Sequence, residues 1–141
     1  MLNNLLPPTT HKVKMHTSKR VNNIIKEKTL NNMNLYGEKN PEGVSARINS
    51  LNREWDTERV LEANAGALML VGSALALITE KKRWSVLTAA VGGFLLQHAL
   101  QGWCPPLPII RRLGVRTSSE IHGEKYYLKY VRGDFDKWRH K

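Results

Sequence analysis

Two long uncharged runs dominate the pattern of hydrophobic and polar positions along this chain. The first covers residues 63–79, and the second begins at Trp84 and meets no formal charge before Arg111. A helix needs roughly 20 mainly apolar residues, range about 17–25, to cross a hydrocarbon core about 30 Å thick. The pattern therefore predicts two transmembrane helices, about 60–79 and 84–103, joined by a short charged turn.

The aromatic residues that bracket the second run, and the absence of a polar face on the first run, favour membrane helices over a soluble bundle. Trp84 and Trp103 bracket the second run, about 28 Å apart along a helix, as an aromatic belt would place them. A pair of helices buried in a soluble protein would be amphipathic. Residues 65–78, however, are apolar on all sides except at Gly72 and Ser73.

The sequences that flank the two runs are polar and predict helical arms, so the expected fold class is all-α. We expect a transmembrane helical hairpin with amphipathic arms on the cytoplasmic side. The predicted divisions are a disordered or extended N-terminus, a cytoplasmic helical arm, the hairpin module, and a basic C-terminal helix and tail, over residues 1–16, 17–55, 56–110 and 111–141.

Capping residues predict where several helices begin. Thr17-Ser18 and Asn40-Pro41 each place a capping side chain before a helical pattern. Asp56 can cap a helix that continues into the first span. Thr117, with Glu120 three residues later, forms the pattern of a capping box before the C-terminal helix.

The net charge of the chain is +10, and the distribution of its Lys and Arg residues predicts an orientation for the hairpin. Eight Lys and Arg residues lie within about 20 positions outside the runs, against three in the turn. This bias predicts that both termini are cytoplasmic. Basic residues of the arms suit an anionic leaflet. Because aromatic residues are not interleaved with clustered cations in the N-terminal arm, nucleic acid is not an expected partner.

A segment after the second run is predicted to lie at the membrane surface. Ile109-Ile110 is followed by Arg111 and Arg112, whose guanidinium groups would sit among lipid head groups. Together with Trp84 and Trp103, these arginines are the predicted membrane-interface anchors.

Cys104 is the only cysteine, which excludes an intramolecular disulfide and a thiolate zinc site. The histidines have no ligand spacing, so we expect no metal, no cofactor and no enzymatic activity. Cys104 has two interpretations, which stay open here. It is either a small residue at a helix end, or a thiol for redox, metal-handling or persulfide chemistry.

A polar cluster within the predicted hairpin comprises Asn64, Gln97, His98 and Gln101. In an antiparallel pair, residue 64 lies near the level of residue 99, so these side chains could hydrogen-bond between the helices. The alternative is a pathway or switch through His98. Glu62 is expected to be the nearest carboxylate, and the absence of an acidic partner in either run argues against a proton relay.

Small residues recur every fourth position on both runs. Gly72 and Ala76 do so on the first run, and Ser85, Ala89 and Gly93 on the second. Such stripes allow two helices to approach closely in lipid. They could close the hairpin, form the seam of a homodimer or higher oligomer, or do both.

The end of the second run resembles a known family. Gly102-Trp103-Cys104-Pro105, followed by Leu113-Gly114-Val115, resembles the YgaP-like transmembrane domain family over about residues 54–117. These are two-span bacterial modules, so the resemblance implies a hairpin in the bacterial inner membrane. Some members are fused to a rhodanese domain. This sequence contains no such domain, so sulfur chemistry would depend on a partner.

These patterns lead to an expected function. The chain should be a small integral membrane protein that acts as a homo-oligomeric scaffold or docks a cytoplasmic protein, without catalysis of its own. The alternative is an accessory role in sulfur transfer or redox chemistry through Cys104. A weaker third option is a small transporter or channel, which would need several hairpins around a wet path.

Overall fold

The structure, a computed structural model, describes residues 6–136 and contains helices but no strands within that range. The all-α fold class is therefore confirmed. Seven helices occur among these residues, and their bounds are α1 Lys12–Met15, α2 Lys19–Gly37, α3 Pro41–Arg53, α4 Thr57–Thr79, α5 Lys82–Gln101, α6 Leu107–Arg112 and α7 Ser118–Arg132.

α4 and α5 run antiparallel and pack against each other along their length. A Cβ added to Gly72 would lie 2.6 Å from Oγ1 of Thr88, and one added to Gly92 would lie 3.5 Å from the Met69 side chain. Gly72 is thus buried in the seam between the two helices, where a larger residue would push them apart. Glu80 and Lys81 form the turn between them.

One helical stretch in the described part of the chain is long and apolar enough to cross a membrane. It is bounded as Pro41–Thr79, and its most apolar window has a mean hydropathy of 1.7. That window belongs to α4, because α3 is rich in polar residues. α5 carries Gln97, His98 and Gln101 in its second half and does not reach the same apolarity.

The predicted helix starts are confirmed. The side chains of Ser18, Asn40 and Asp56 accept backbone hydrogen bonds at the starts of α2, α3 and α4, and Thr117 and Glu120 form the capping box of α7. α5 ends at Gln101, two residues before the predicted end. The next residue, Gly102, has φ +82° and breaks the helix.

A small apolar core lies where α4 begins and α5 ends, which we call the base of the helix pair. It comprises Val13, Leu61, Cys104, Leu107 and Ile110, with Val60 and Val115 packed against it. The expectation of a disordered or extended segment over residues 1–16 is wrong where α1 forms. Burying the side chain of Val13 in this core stabilises a helix too short to persist alone. Residues 1–5 lie outside the described range.

A second core joins the two arms. It comprises Val44, Ile48 and Leu51 of α3 with Ile121 and Leu128 of α7, and Tyr36 of α2 packs against it. The arms are therefore not two separate amphipathic helices. Segments from both sides of the α4–α5 pair pack into one bundle of α2, α3 and α7.

Candidate functional site

A groove of about 540 Å³ lies where α4, α5 and α6 meet. Its walls are almost entirely apolar and include Leu68, Phe94, Ile109 and Leu113. These four side chains are also exposed on the outside of the molecule. Ligand sites in proteins commonly have volumes of about 300–1,000 Å³, with a few polar groups on an apolar wall. The groove is the place in the described residues where such a site fits best.

The polar groups of the groove belong to a buried histidine and its neighbours. The side chain of His98 is 2% exposed, and its Nε2 lies 2.8 Å from Oε2 of Glu58. Cys104, 3% exposed, lies close enough to interact electrostatically with the same imidazole. Within residues 6–136 the second ring nitrogen, Nδ1, has no partner in hydrogen-bonding geometry. A thiol, an imidazole and a carboxylate thus meet at one end of an apolar groove.

Glu58 corrects the expectation that Glu62 is the carboxylate nearest to His98. Glu58 is half-buried in the first turn of α4 and its carboxylate reaches His98, whereas Glu62 is exposed. Four residues turn a helix by about 400°, so Glu62 lies on nearly the same side of α4, one turn further along, and none of its atoms pairs with His98 within the described residues. His98 therefore has an acidic partner, which lies just before the first uncharged run. Lys12 of α1 adds a cation, with its Nζ 3.4 Å from Oε1 of Glu58.

The predicted polar cluster does not assemble as a network. Nδ2 of Asn64 donates to the carbonyl of Val60 in its own helix at 2.7 Å. Gln101 is exposed and Gln97 is half-buried. Across the range that the structure describes, no hydrogen bond joins these amides to one another or to His98. Asn64 and His98 share the groove wall, but they do not contact each other through polar atoms.

Arg111 corrects the prediction of a membrane-interface anchor. Its side chain is 1% exposed and forms a bidentate pair with Glu120, at 2.8 and 3.0 Å. Nε also donates to Thr17 and Nη2 to Asn22. Because these groups come from both arms, the guanidinium is fully used inside the protein. Arg112 stays exposed and available to head groups.

Arg116 is a second buried arginine that links the two arms, and we call Arg111 and Arg116 the clamp arginines. Its guanidinium donates to both oxygens of Glu54, at 2.7 and 2.6 Å, and to Glu124. Nη1 also donates to Thr29. Glu124 is fully buried and also accepts from Nε of Arg47 at 2.8 Å. The clamp joins the N-terminal arm to α7.

The pKa values of these groups reflect their neighbours. Burial by itself would raise the pKa of Glu120, but the hydrogen bond from Arg111, the Thr117 N–H and the charges of Arg111 and Lys14 outweigh it. The net pKa is lowered. Burial opposes the charge of Arg116, while Glu54 and Glu124 stabilise it, so its pKa is raised overall. Both groups are charged at neutral pH.

The glycines of the Gly-x-Cys-Pro and Leu-Gly-Val motifs have structural roles here. Gly102 has φ +82°, and an added Cβ would lie 2.6 Å from Cβ of Lys12. Gly114 has φ +83° and ends the segment after α6, before Val115 returns to the core. Glycine therefore allows the turn at both positions, and Gly102 also admits α1. Cys104 follows and is buried at the base.

The other predicted residues fall on different surfaces. Trp84 is half-buried, with the guanidinium of Arg83 5.4 Å from its ring centroid, and Trp103 is 36% exposed. The two small-residue stripes separate. Gly72 and Ala76 face the seam between α4 and α5, whereas every member of the second stripe is exposed on α5, namely Ser85, Ala89 and Gly93.

The sequence did not indicate Glu54, Glu58 and Glu124 as partners of buried groups, and it indicated Glu120 only as a capping residue. One signal was present in α7. Glu124 lies three residues after Ile121 and four before Leu128, so a carboxylate interrupts an apolar helical face. Such a position indicates a buried ion pair. Glu54 and Glu58 give no such signal. Across residues 6–136, no cluster of three His, Cys, Asp or Glu side chains is placed to hold a metal ion.

The buried clamp leads to a stability prediction. We expect Glu124→Ala to destabilise the arm bundle by about 3–5 kcal/mol, because it leaves Arg116 and Arg47 with unpaired buried charge. Hydrogen–deuterium exchange of α2, α3 and α7 in detergent measures the loss. Asp134→Ala, which removes the exposed partner of Arg132, is the matched control and should change exchange far less. Equal effects of the two substitutions would contradict a buried clamp.

Comparisons with known proteins agree with the predicted resemblance. Residues 56–120 match the family model described as inner membrane protein YgaP-like, transmembrane domain. Searches of curated proteins and of solved structures each found no match. The matched region contains α4, α5, α6, the whole groove and both clamp arginines. The predicted resemblance is therefore confirmed over residues 56–120, somewhat less than half of the chain, which match the YgaP-like transmembrane domain family and support a membrane protein.

Proposed function

We propose that the chain is a two-span inner-membrane hairpin that acts as a homo-oligomeric scaffold and docks a cytoplasmic protein, without catalysis of its own. The observation that carries this proposal is the division of the molecule into two parts. The α4–α5 pair exposes large apolar side chains, while the arms fold into a separate polar bundle with its own core.

The exposed apolar surface supports two spans rather than one. Leu77 and Ile78 of α4 are 82% and 78% exposed, and Val86 and Leu96 of α5 are exposed as well. A soluble monomer rarely carries so large a continuous apolar patch. Lipid would cover both helices. The charged and amide residues of α5 lie near its two ends, Lys82 and Arg83 at one and Gln97, His98 and Gln101 at the other, where the helix would approach the head groups.

The arm bundle supports an even number of crossings. α2 and α3 precede the helix pair and α7 follows it, yet Val44 and Leu128 belong to the same core. Both arms must therefore lie on the same side of a membrane that contains α4 and α5. The excess of Lys and Arg in the arms favours the cytoplasmic side. Exposed Tyr126 and Tyr130, beside Lys125 and Lys129, give a surface for an acidic protein or the leaflet.

The second small-residue stripe supports an oligomer. A Cβ added to Gly93 would have no neighbour within 4 Å, so this position is open in one copy of the chain. Ser85 and Ala89 are exposed on the same face. Small residues at every fourth position allow close approach of helices in lipid, so we place the seam between copies on this face of α5.

The orientation can be tested with single cysteines in a Cys104→Ser background. Because the turn should face the outside, Lys81→Cys should react with a membrane-impermeant maleimide in intact spheroplasts. Arg112→Cys should react only in inside-out vesicles. Both positions are exposed in the structure. Labelling of both in the same preparation would contradict two spans, and the reverse pattern would place the arms outside.

The seam can be tested with Gly93→Leu. The larger side chain should separate the copies, because it occupies the space that a partner helix would take. Fluorescence energy transfer between labelled chains in lipid vesicles should then fall to the level of a monomeric control. Gly66→Leu, at an equally open glycine on α4, should leave transfer unchanged. A loss in both variants, or in neither, would rule out this seam.

A second candidate function is favoured by the meeting of Cys104, His98 and Glu58. A thiol beside an imidazole that is oriented by a carboxylate resembles the arrangement of an activated nucleophile. In such a role the thiol would attack the outer sulfur of a small donor persulfide. The S–S bond of the donor would break as the Cys104 persulfide forms. His98 would take the proton of Cys104 and pass it to the departing thiolate, so that the donor leaves as a thiol.

This sulfur-accepting role predicts a persulfide on the wild-type chain. After exposure to cysteine persulfide in vesicles, mass spectrometry should detect one added sulfur on the peptide that contains Cys104. The yield should fall in His98→Gln, because the base is lost, while an exposed-site variant such as Gln101→Ala should retain it. An unmodified wild-type peptide would exclude the role.

A further inference from the structure

We propose that the groove between α4, α5 and α6 binds a neutral, long-chain amphiphile whose hydroxyl group hydrogen-bonds to Nδ1 of His98. This binding site goes beyond the scaffold function and does not depend on oligomerisation. It depends only on the groove, its buried polar end, and the membrane in which α4 lies.

The polar end of the groove lacks one hydrogen-bond partner. His98 is 2% exposed and its Nε2 is paired with Glu58. The thiol of Cys104 also interacts with this ring, but within residues 6–136 no group meets Nδ1 in hydrogen-bonding geometry. A buried polar atom without a partner is costly, and such atoms commonly mark a missing ligand or ion. Because the ring lines the groove, a group bound there can meet this need.

A hydroxyl group suits Nδ1 both when the imidazole of His98 is neutral and when it is charged. It donates to the nitrogen when the ring is neutral and accepts from it when the ring is charged. A positively charged head group fits poorly, because the single carboxylate of Glu58 already faces both His98 and Lys12. When the ring is neutral, Lys12 and Glu58 balance each other, and a further charge of either sign would lose its hydration without gaining a counter-ion.

The rest of the groove suits a single apolar chain. The volume of about 540 Å³ is bounded by side chains such as Leu68, Phe94 and Leu95. Its mouth is formed partly by Ile109 and Leu113, which are 63% and 77% exposed. This surface is continuous with the exposed apolar face of α4 that lipid covers. The ligand would therefore enter from the bilayer, chain and head together, rather than from water.

The test compares three photoactivatable probes on the full-length chain in phosphatidylcholine vesicles. Each carries a diazirine at the end of the same long alkyl chain, and the heads are a hydroxyl, none, and a quaternary ammonium. We expect the alcohol to label residues of the groove about fivefold more than the alkane, the size of one net hydrogen bond. The ammonium probe should label no better than the alkane.

Two variants locate the site. Ile109→Trp should abolish groove labelling because the indole fills the mouth, whereas Leu100→Trp, at an exposed position outside the groove, should not change it. His98→Phe should reduce the alcohol to the level of the alkane. Should that variant fail to fold, the comparison of probes on the wild-type chain still decides.

Equal labelling by alcohol and alkane, or labelling spread over the outer faces of α4 and α5, would overturn the proposal. It would mean that bilayer chains fill the groove without recognition. Solvent extraction of the purified protein then separates the natural sources. Enriched mono- or diacylglycerol would identify a membrane lipid, and an isoprenoid alcohol or quinol a lipid-soluble cofactor. Phospholipid alone, in bulk proportion, would contradict the proposal.

Discussion

Two buried arginines hold this molecule together. Arg111 joins Thr17 and Asn22 to Glu120, and Arg116 joins Glu54 to Glu124, so each guanidinium ties the N-terminal arm to α7. Removing charges from water costs several kcal/mol per ion, and only near-complete hydrogen bonding offsets this cost. The planar fork of arginine supplies enough donors for such bonding. Closing the two arms in this way fixes the ends of the helix pair.

The clamps also position the groove. The backbone N–H of Thr57, at the start of α4, donates to the carbonyl of Arg116 at 2.9 Å, and its hydroxyl donates to the same carbonyl at 3.0 Å. Arg111 is the fifth residue of α6, whose Leu107 and Ile110 belong to the core at the base. The start of α4 and the whole of α6 are thereby held against the end of α5. Glu58 then faces His98 within this fixed frame.

The arm bundle and the helix pair distribute their apolar residues differently. The arm bundle buries apolar side chains such as Val44 and Leu128 in its own core, and its buried charges are paired. On α4 and α5 many large apolar side chains are exposed. In the proposed two-span arrangement lipid covers them, and because lipid is as apolar as a protein core, the helices gain little by hiding them. Small and polar residues such as Gly72, Thr88 and His98 lie between these helices, together with the side chain of Met69. The groove lies at the boundary between the arm bundle and the apolar helix pair. Its wall is therefore apolar along the helix pair and ends in buried polar atoms next to the arms.

The sequence by itself determined the five longer helices, the starts of four of them, and the family resemblance. Asn40, Asp56 and Thr117 act through neighbours two or three positions away, so local sequence contains the information. The apolar run of α4 predicted a membrane helix by length alone. The tertiary structure decided the partners of the buried charges. Arg111 and Thr17 are distant along the chain, as are His98 and Glu58, and no local pattern encodes such pairs. Their register depends on how the arms close around the helix pair, and packing across the whole chain fixes that closure.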